Sequence, residues 1–157
     1  LVRAFLALGY ACARMNFRGV GKSEGVHDAG AGETDDIALL YEHMVAQYPG
    51  LPVALSGFSF GTFVQSQLQQ RFAEQGRPVE RLVLVGCAAG KWDLAPVPAD
   101  TILIHGEQDD TIPLSDVLDW ARPQDLPVIV IPGADHFFHR KLHHIKQLVT
   151  AMWRHQL

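Results

Sequence analysis

No apolar run in this sequence approaches the ~20 residues that a bilayer-spanning helix needs. Positive charge is also scarce: 13 Lys and Arg stand against 17 Asp and Glu, a net charge of -4. Tracking nucleic-acid phosphates takes a basic face, so nucleic acid is not an expected partner, and neither is a membrane. Charged residues are 19% of the total and hydrophobic ones 48%, the balance of an ordinary globular protein. Cysteine is almost absent. The two present, Cys12 and Cys87, lie inside the apolar stretches YACARM and LVGCAAG. They read as buried reduced thiols rather than a disulfide framework, which favours a reducing, cytoplasmic setting. Eight histidines raise the question of a metal, but no pair shows ligand spacing beside a Cys, Asp or Glu. No metal and no cofactor are expected.

What the sequence does have is alternation. Its 157 residues suggest one domain, large enough to bury roughly 70% of the surface of the unfolded chain. Short apolar runs at 10–17 (YACARMNF), 52–57 (PVALSG), 81–86 (RLVLVG), 101–106 (TILIHG) and 127–133 (PVIVIPG) are too short for helices and read as strands buried on both faces. Helical patterns lie between them. Over 33–48, Ile37, Leu40, Tyr41, Met44 and Tyr48 form a stripe, with Glu33, Asp35 and Asp36 in the first turn. Val64, Leu68 and Phe72 repeat at four, Ser115 is a candidate N-cap, and Leu142, Ile145, Leu148, Val149, Met152 and Trp153 share a face. The opening residues read as a helix over Val2–Leu8 closed by Gly9 and followed by a strand, not as a cleaved leader. The fold class is therefore α/β, a mostly parallel doubly wound sheet with helices on both faces. In such sheets ligands bind beyond the carboxyl ends of the strands.

Three of those strand ends carry chemistry. After 52–57 comes Gly57-Phe58-Ser59-Phe60-Gly61, a match to G-x-S-x-G. A strand turning at once into a helix strains the middle residue, and side chains at either glycine are expected to collide. The Ser59 hydroxyl then projects above the sheet, and the Phe60 amide, at a helix N-terminus, points where an oxyanion would form. After 101–106 comes EQDDTIP, an acid source in which Asp109 competes with Asp110. After 127–133 comes ADHFF, which puts His136 on a loop, with His139 a weaker candidate base. Serine, acid and histidine thus follow one another in the chain order of one hydrolase class. His105 ends a strand and reads as a structural hydrogen-bonding group. Arg18 and Ser23 read as anchors of the glycine-rich turn NFRGVGKSEG, which has neither phosphate-loop nor dinucleotide spacing. Phe58, Trp92 and Phe137 are candidates for an apolar substrate pocket.

GFSFG, HGEQDDTIP and GADHFF resemble the nucleophile, acid and histidine segments of the α/β-hydrolase superfamily, and NFRGVGKSEG resembles the turn after that fold's fourth strand. The whole is similar to a small capless bacterial branch, dienelactone-hydrolase-like. The resemblance implies Ser59 as nucleophile, Asp109 as acid and His136 as base. It selects Asp109 because such families place the acid third after the glycine of the H-G-x-x-D pattern, leaving Asp110 to solvent. Dienelactone hydrolases proper carry cysteine at the elbow, where this chain has serine. Residues 87–100 occupy the place where larger relatives insert a lid, and are too few for one.

The implied activity is that of an esterase-like serine hydrolase acting on a small or exposed ester. Peptidase, thioesterase or a non-catalytic binding subunit are the alternatives. The resemblance also implies that roughly 40–60 residues, three strands and most of a helix, are missing ahead of Leu1. With the third strand's slot vacant, 10–17 and 52–57 are expected to lie roughly 10 Å apart, and the second oxyanion donor to be missing.

Overall fold

Leu82 and Leu84 face one side of their strand and Val83 and Val85 the other, and none of the four is more than 1% exposed. A strand with no wet face must lie inside a sheet covered twice over. The computed structural model, which describes residues 1–153, has that arrangement. Four strands, β1 (Ala54–Phe58), β2 (Arg81–Val85), β3 (Ile102–Gly106) and β4 (Ile129–Ile131), lie in the order β1-β2-β3-β4, and every pairing is parallel. Ser56 stands opposite Val83, Val85 opposite Ile104, and Ile104 opposite Ile129. All four carboxyl ends therefore open on one edge of the sheet.

Helices α2 (Ala31–Gln47), α3 (Phe60–Glu74) and α4 (Leu114–Ala121) cover one face. There Leu68 and Phe72 of α3 and Val117 of α4 pack on Leu55, Leu82, Leu84 and Leu103. Helices α1 (Val2–Ala7) and α5 (Leu142–Met152) cover the other, where Phe5, Ile145 and Val149 meet Val83, Val85, Ile102 and Ile104. Full burial of each such side chain contributes about 1.5–3 kcal/mol. Trp153 ties the second layer together. Its ring lies edge-on to Phe5 at 5.2 Å and its Nε1 donates to the Tyr10 hydroxyl, which donates in turn to Glu80.

Several sequence expectations need correction. Residues 10–17 form no strand; they run exposed across the surface, with Met15 41% accessible. A strand needs a partner for its backbone groups, and β1 pairs only with β2 among the described residues. Cys12, within that segment, is consequently exposed, whereas Cys87 is buried as expected and its thiol is pushed up to about 12 by that burial. The 127–133 run yields only three ladder residues, because Pro127 and Pro132 bracket it without N–H groups to donate. Helix α4 begins two residues early, with Pro113 in the cap position, and the Ser115 hydroxyl turns to Asp116 instead. Tyr48 is 44% exposed beyond the end of α2, and Leu142 is 63% exposed.

Candidate active site

The chain reverses so sharply after β1 that a Cβ on Gly57 would sit 2.4 Å from the Gly61 carbonyl oxygen. Ser59 occupies the middle of this turn at φ 53°, ψ -125°, outside the comfortable range of an L-residue. The expected collision is thus real at Gly57. It is not at Gly61, where a Cβ would meet nothing within 4 Å. Two hydrogen bonds brace the turn. The Ser59 amide donates to the Val85 carbonyl at 3.0 Å, and the Thr62 hydroxyl donates to the Ser59 carbonyl at 2.6 Å. Thr62 also accepts from the Ala88 amide at 2.9 Å, tying the turn to the end of β2. Its part was readable in principle from a threonine three residues after the serine, where a hydroxyl reaches back one turn. Phe60 is the first residue of α3, so its N–H belongs to those the helix cannot satisfy internally.

Asp109 is set by the turn beyond β3. Its Oδ1 accepts from the amides of Thr111 (2.9 Å) and Ile112 (2.7 Å), leaving Oδ2 to face the next loop. That loop follows β4 and is drawn in by the Gln108 amide, which donates to the Ala134 carbonyl at 2.9 Å. Gly106 permits the approach, for a Cβ there would lie 2.5 Å from the same carbonyl oxygen. The result places His136 between the two other groups. Its Nδ1–H donates to Asp109 Oδ2 at 2.7 Å, and its Nε2 accepts from the Ser59 hydroxyl at 2.9 Å. The carboxylate can only accept, so the proton sits on Nδ1 and the Nε2 lone pair faces serine. Asp109 is 7% and His136 3% exposed, so water competes weakly for these bonds.

The rival residues stand elsewhere. Asp110 is exposed and its carboxylate accepts from the Thr111 hydroxyl at 3.4 Å. His139 pairs with Asp135 on the surface. His105 is wholly buried with Nε2 2.9 Å from the Ile112 carbonyl, as a structural role requires. Arg18 clasps Asp36 through two bonds of 2.8 Å, and the Ser23 hydroxyl donates to the Asn16 carbonyl, so both do anchor their turn.

The candidate pocket residues divide between two groups of ring contacts. Phe58 and Phe137 each lie 5.1 Å from the His136 ring and are 37% and 59% exposed. Trp92 belongs to the other group, against Phe60 at 4.9 Å and stacked on Phe63. Phe17 and His27 from the glycine-rich loop also lean on Phe60. Neither was identified from sequence, which gives no sign that the loop folds back over α3. Glu33 does more than face a helix dipole. Its buried carboxylate accepts from the Asp28 and Gly30 amides and pairs with His27. Among the described residues, no group of three or more His, Cys, Asp or Glu could hold a metal ion, and no helix is long and apolar enough to cross a membrane.

A polarisable hydroxyl, an imidazole backed by a carboxylate and a free amide at a helix start are the components of acyl transfer. A parallel sheet that carries them at its carboxyl ends, with the serine on a strand-to-helix turn, defines the α/β-hydrolase class. The solved structures agree. XC6422 of Xanthomonas campestris, described as an α/β serine hydrolase without a lid, is 33% identical with a TM-score of 0.78, over 87% of this chain and 62% of that one. ATU1826 of Agrobacterium tumefaciens is 28% identical with a TM-score of 0.85, over 95% of this chain and 71% of that one. An uncharacterised protein of Rickettsia prowazekii is 30% identical over 156 residues, 90% of this chain and 64% of its own length. Residues 1–103 match the serine aminopeptidase S33 family, and the chain belongs to that family. It spans less than two thirds of the Rickettsia protein and of XC6422.

Proposed function

We propose that this hydrolase acts through Ser59 as nucleophile, His136 as general base and Asp109 as the acid that orients it, on a small or exposed carboxylic ester. One observation carries the reading: the continuous hydrogen-bonded chain from the Ser59 hydroxyl through His136 to Asp109. As Ser59 Oγ attacks the acyl carbon, its proton passes to Nε2, and the imidazolium so formed is stabilised by the Asp109 carboxylate. The negative charge developing on the carbonyl oxygen is received by the Phe60 amide. The imidazolium then protonates the leaving alkoxide, and an acyl-enzyme remains. Water attacks that ester with His136 again as base, releasing the acid and restoring Ser59.

The exposed Phe58 and Phe137 beside His136 favour an apolar acyl or alcohol part. Residues 87–100 contain no helix to serve as a lid, which suits a substrate approached from solvent. No cofactor enters this scheme, and the partner is a small molecule. Unpaired Cys12 and Cys87 fit a reducing, cytoplasmic setting in a bacterial cell. The same groups would cleave an amide or a thioester, and the family's description as aminopeptidase makes a peptide the second substrate to test. The decisive experiment is fluorophosphonate labelling of the purified chain, alongside hydrolysis of p-nitrophenyl acetate and of an aminoacyl anilide. Labelling at Ser59 with ester turnover supports the proposal. Absence of both leaves a binding role for the fold, and anilide turnover alone moves the substrate to peptides.

A further inference from the structure

Several buried polar groups take no part in the proposed chemistry, and the nearest of them to Asp109 is a histidine. His105, at the end of β3, is wholly buried, and among the described residues its Nδ1 has no hydrogen-bond partner. An orphaned acceptor in a core is destabilising, so an apolar side chain of similar size would suit the packing better. What the imidazole offers in return lies at its other nitrogen. Nε2 is 2.9 Å from the Ile112 carbonyl and 3.4 Å from Asp109 Oδ2. Both neighbours only accept, so the proton is on Nε2 and the lone pair is the one left stranded on Nδ1.

Ile112 is no arbitrary partner, since its amide donates to Asp109 Oδ1 at 2.7 Å. His105 thus holds the far side of the turn whose near side presents the carboxylate. Three donors already converge on Asp109, from Thr111, Ile112 and His136, and His105 flanks the remaining approach to Oδ2. We infer that His105 is a positioning residue for Asp109, fixing the carboxylate against His136 through the 107–112 turn. It touches neither the proposed substrate nor Ser59, so its effect reaches the serine only by way of the acid and the base. The inference rests on the reading of Asp109 as the orienting acid, but its geometry can be tested without turnover.

The variants are H105L, which removes both nitrogens, and H105Q, whose amide can donate to the Ile112 carbonyl. In the purified wild-type chain, proton NMR should show the His136 Nδ1–H far downfield, as expected for an N–H held by a buried carboxylate. H105L is expected to shift that resonance upfield or broaden it away, and H105Q to restore it. With p-nitrophenyl acetate, H105L should lower kcat by about 10²-fold, the scale of a 1 Å misplacement, and leave KM within about threefold. The acid limb of the kcat/KM profile should move to lower pH, because a carboxylate free to swing away supports the imidazolium less. A purely structural role would instead lower the melting temperature while leaving resonance, limb and kcat of the folded fraction as in wild type, and that result overturns the inference. If H105L does not fold, an H105Q protein lacking the downfield resonance also overturns it. A chain with no esterase activity but with the expected NMR response would defeat the proposed function and leave the positioning role standing.

Discussion

Replacing Gly106 by alanine builds a Cβ 2.5 Å from the Ala134 carbonyl oxygen and 2.9 Å from that of Asp135. Ordinary contact begins near 3.4 Å, so the loop before His136 must retreat by ~0.9 Å. Both obstructing atoms are backbone, and the Ala134 carbonyl is held by the Gln108 amide, so no side chain can rotate out of the way. His136 moves with its loop, while Ser59 stays fixed to the end of β2 through the Val85 carbonyl. A bond of 2.9 Å lengthened by most of an ångström is lost. Misplacement on this scale lowers turnover by about 10²-fold, and overpacking costs about 1–3 kcal/mol of stability. Steady-state hydrolysis of p-nitrophenyl acetate, with a melting curve for each protein, separates the two effects. Gly106→Ala with wild-type kcat would refute the argument that this missing side chain sets the position of His136.

The two glycines flanking the serine should behave oppositely. Gly57→Ala is expected to abolish folding or labelling, whereas Gly61→Ala, facing open space, should melt within about 1 kcal/mol of wild type, and equal outcomes would contradict the turn geometry. Ser59→Ala should lower ester turnover by at least ~10³-fold, and probe labelling that survives it would place the nucleophile elsewhere. Ser59→Gly, equally inactive, should relieve the positive-φ strain and melt higher by a few degrees; a lower melting temperature would show the backbone to be unstrained. His105 carries a pH signature as well. Burial lowers its proton affinity in the folded chain, opposed by the Ile112 carbonyl and Asp109, with His136 adding to the lowering. The unfolded chain therefore binds the proton first, so stability should fall as pH drops below about 6.5 and stay level above it. Melting curves from pH 5 to 8 should show a shallower fall in H105Q, and equal slopes would exclude the buried imidazole as the source.

Elements set by their local chain alone were legible in the sequence. The β2 and β3 runs alternate into two cores within one residue of their expected bounds, since their neighbours on both sides are present. The serine turn was legible because strand, glycine and helix pattern occur together over nine residues. Residues 10–17 were misread because apolar composition announces a strand but cannot supply the neighbour that makes one. Choosing Asp109 over Asp110 depended on family resemblance, as adjacent carboxylates look alike until the turn puts one inside. The cluster of Phe17, His27, Phe60, Phe63 and Trp92 was illegible for a related reason. It joins three separate segments through ring contacts that no local pattern encodes.

The proposed catalytic groups are distributed over the breadth of the sheet, with Ser59 after β1, Asp109 after β3 and His136 after β4, and His136 follows Ser59 by 77 positions. Contacts of such long range form only after the intervening chain has surrendered its entropy to β2 and β3. During refolding, serine reactivity should therefore appear last, after helical content and after closure of the central strands. A chain with any one strand displaced would keep most of its secondary structure and be chemically silent. Labelling of Ser59 would thus be a gauge of the completed tertiary fold, more demanding than circular dichroism.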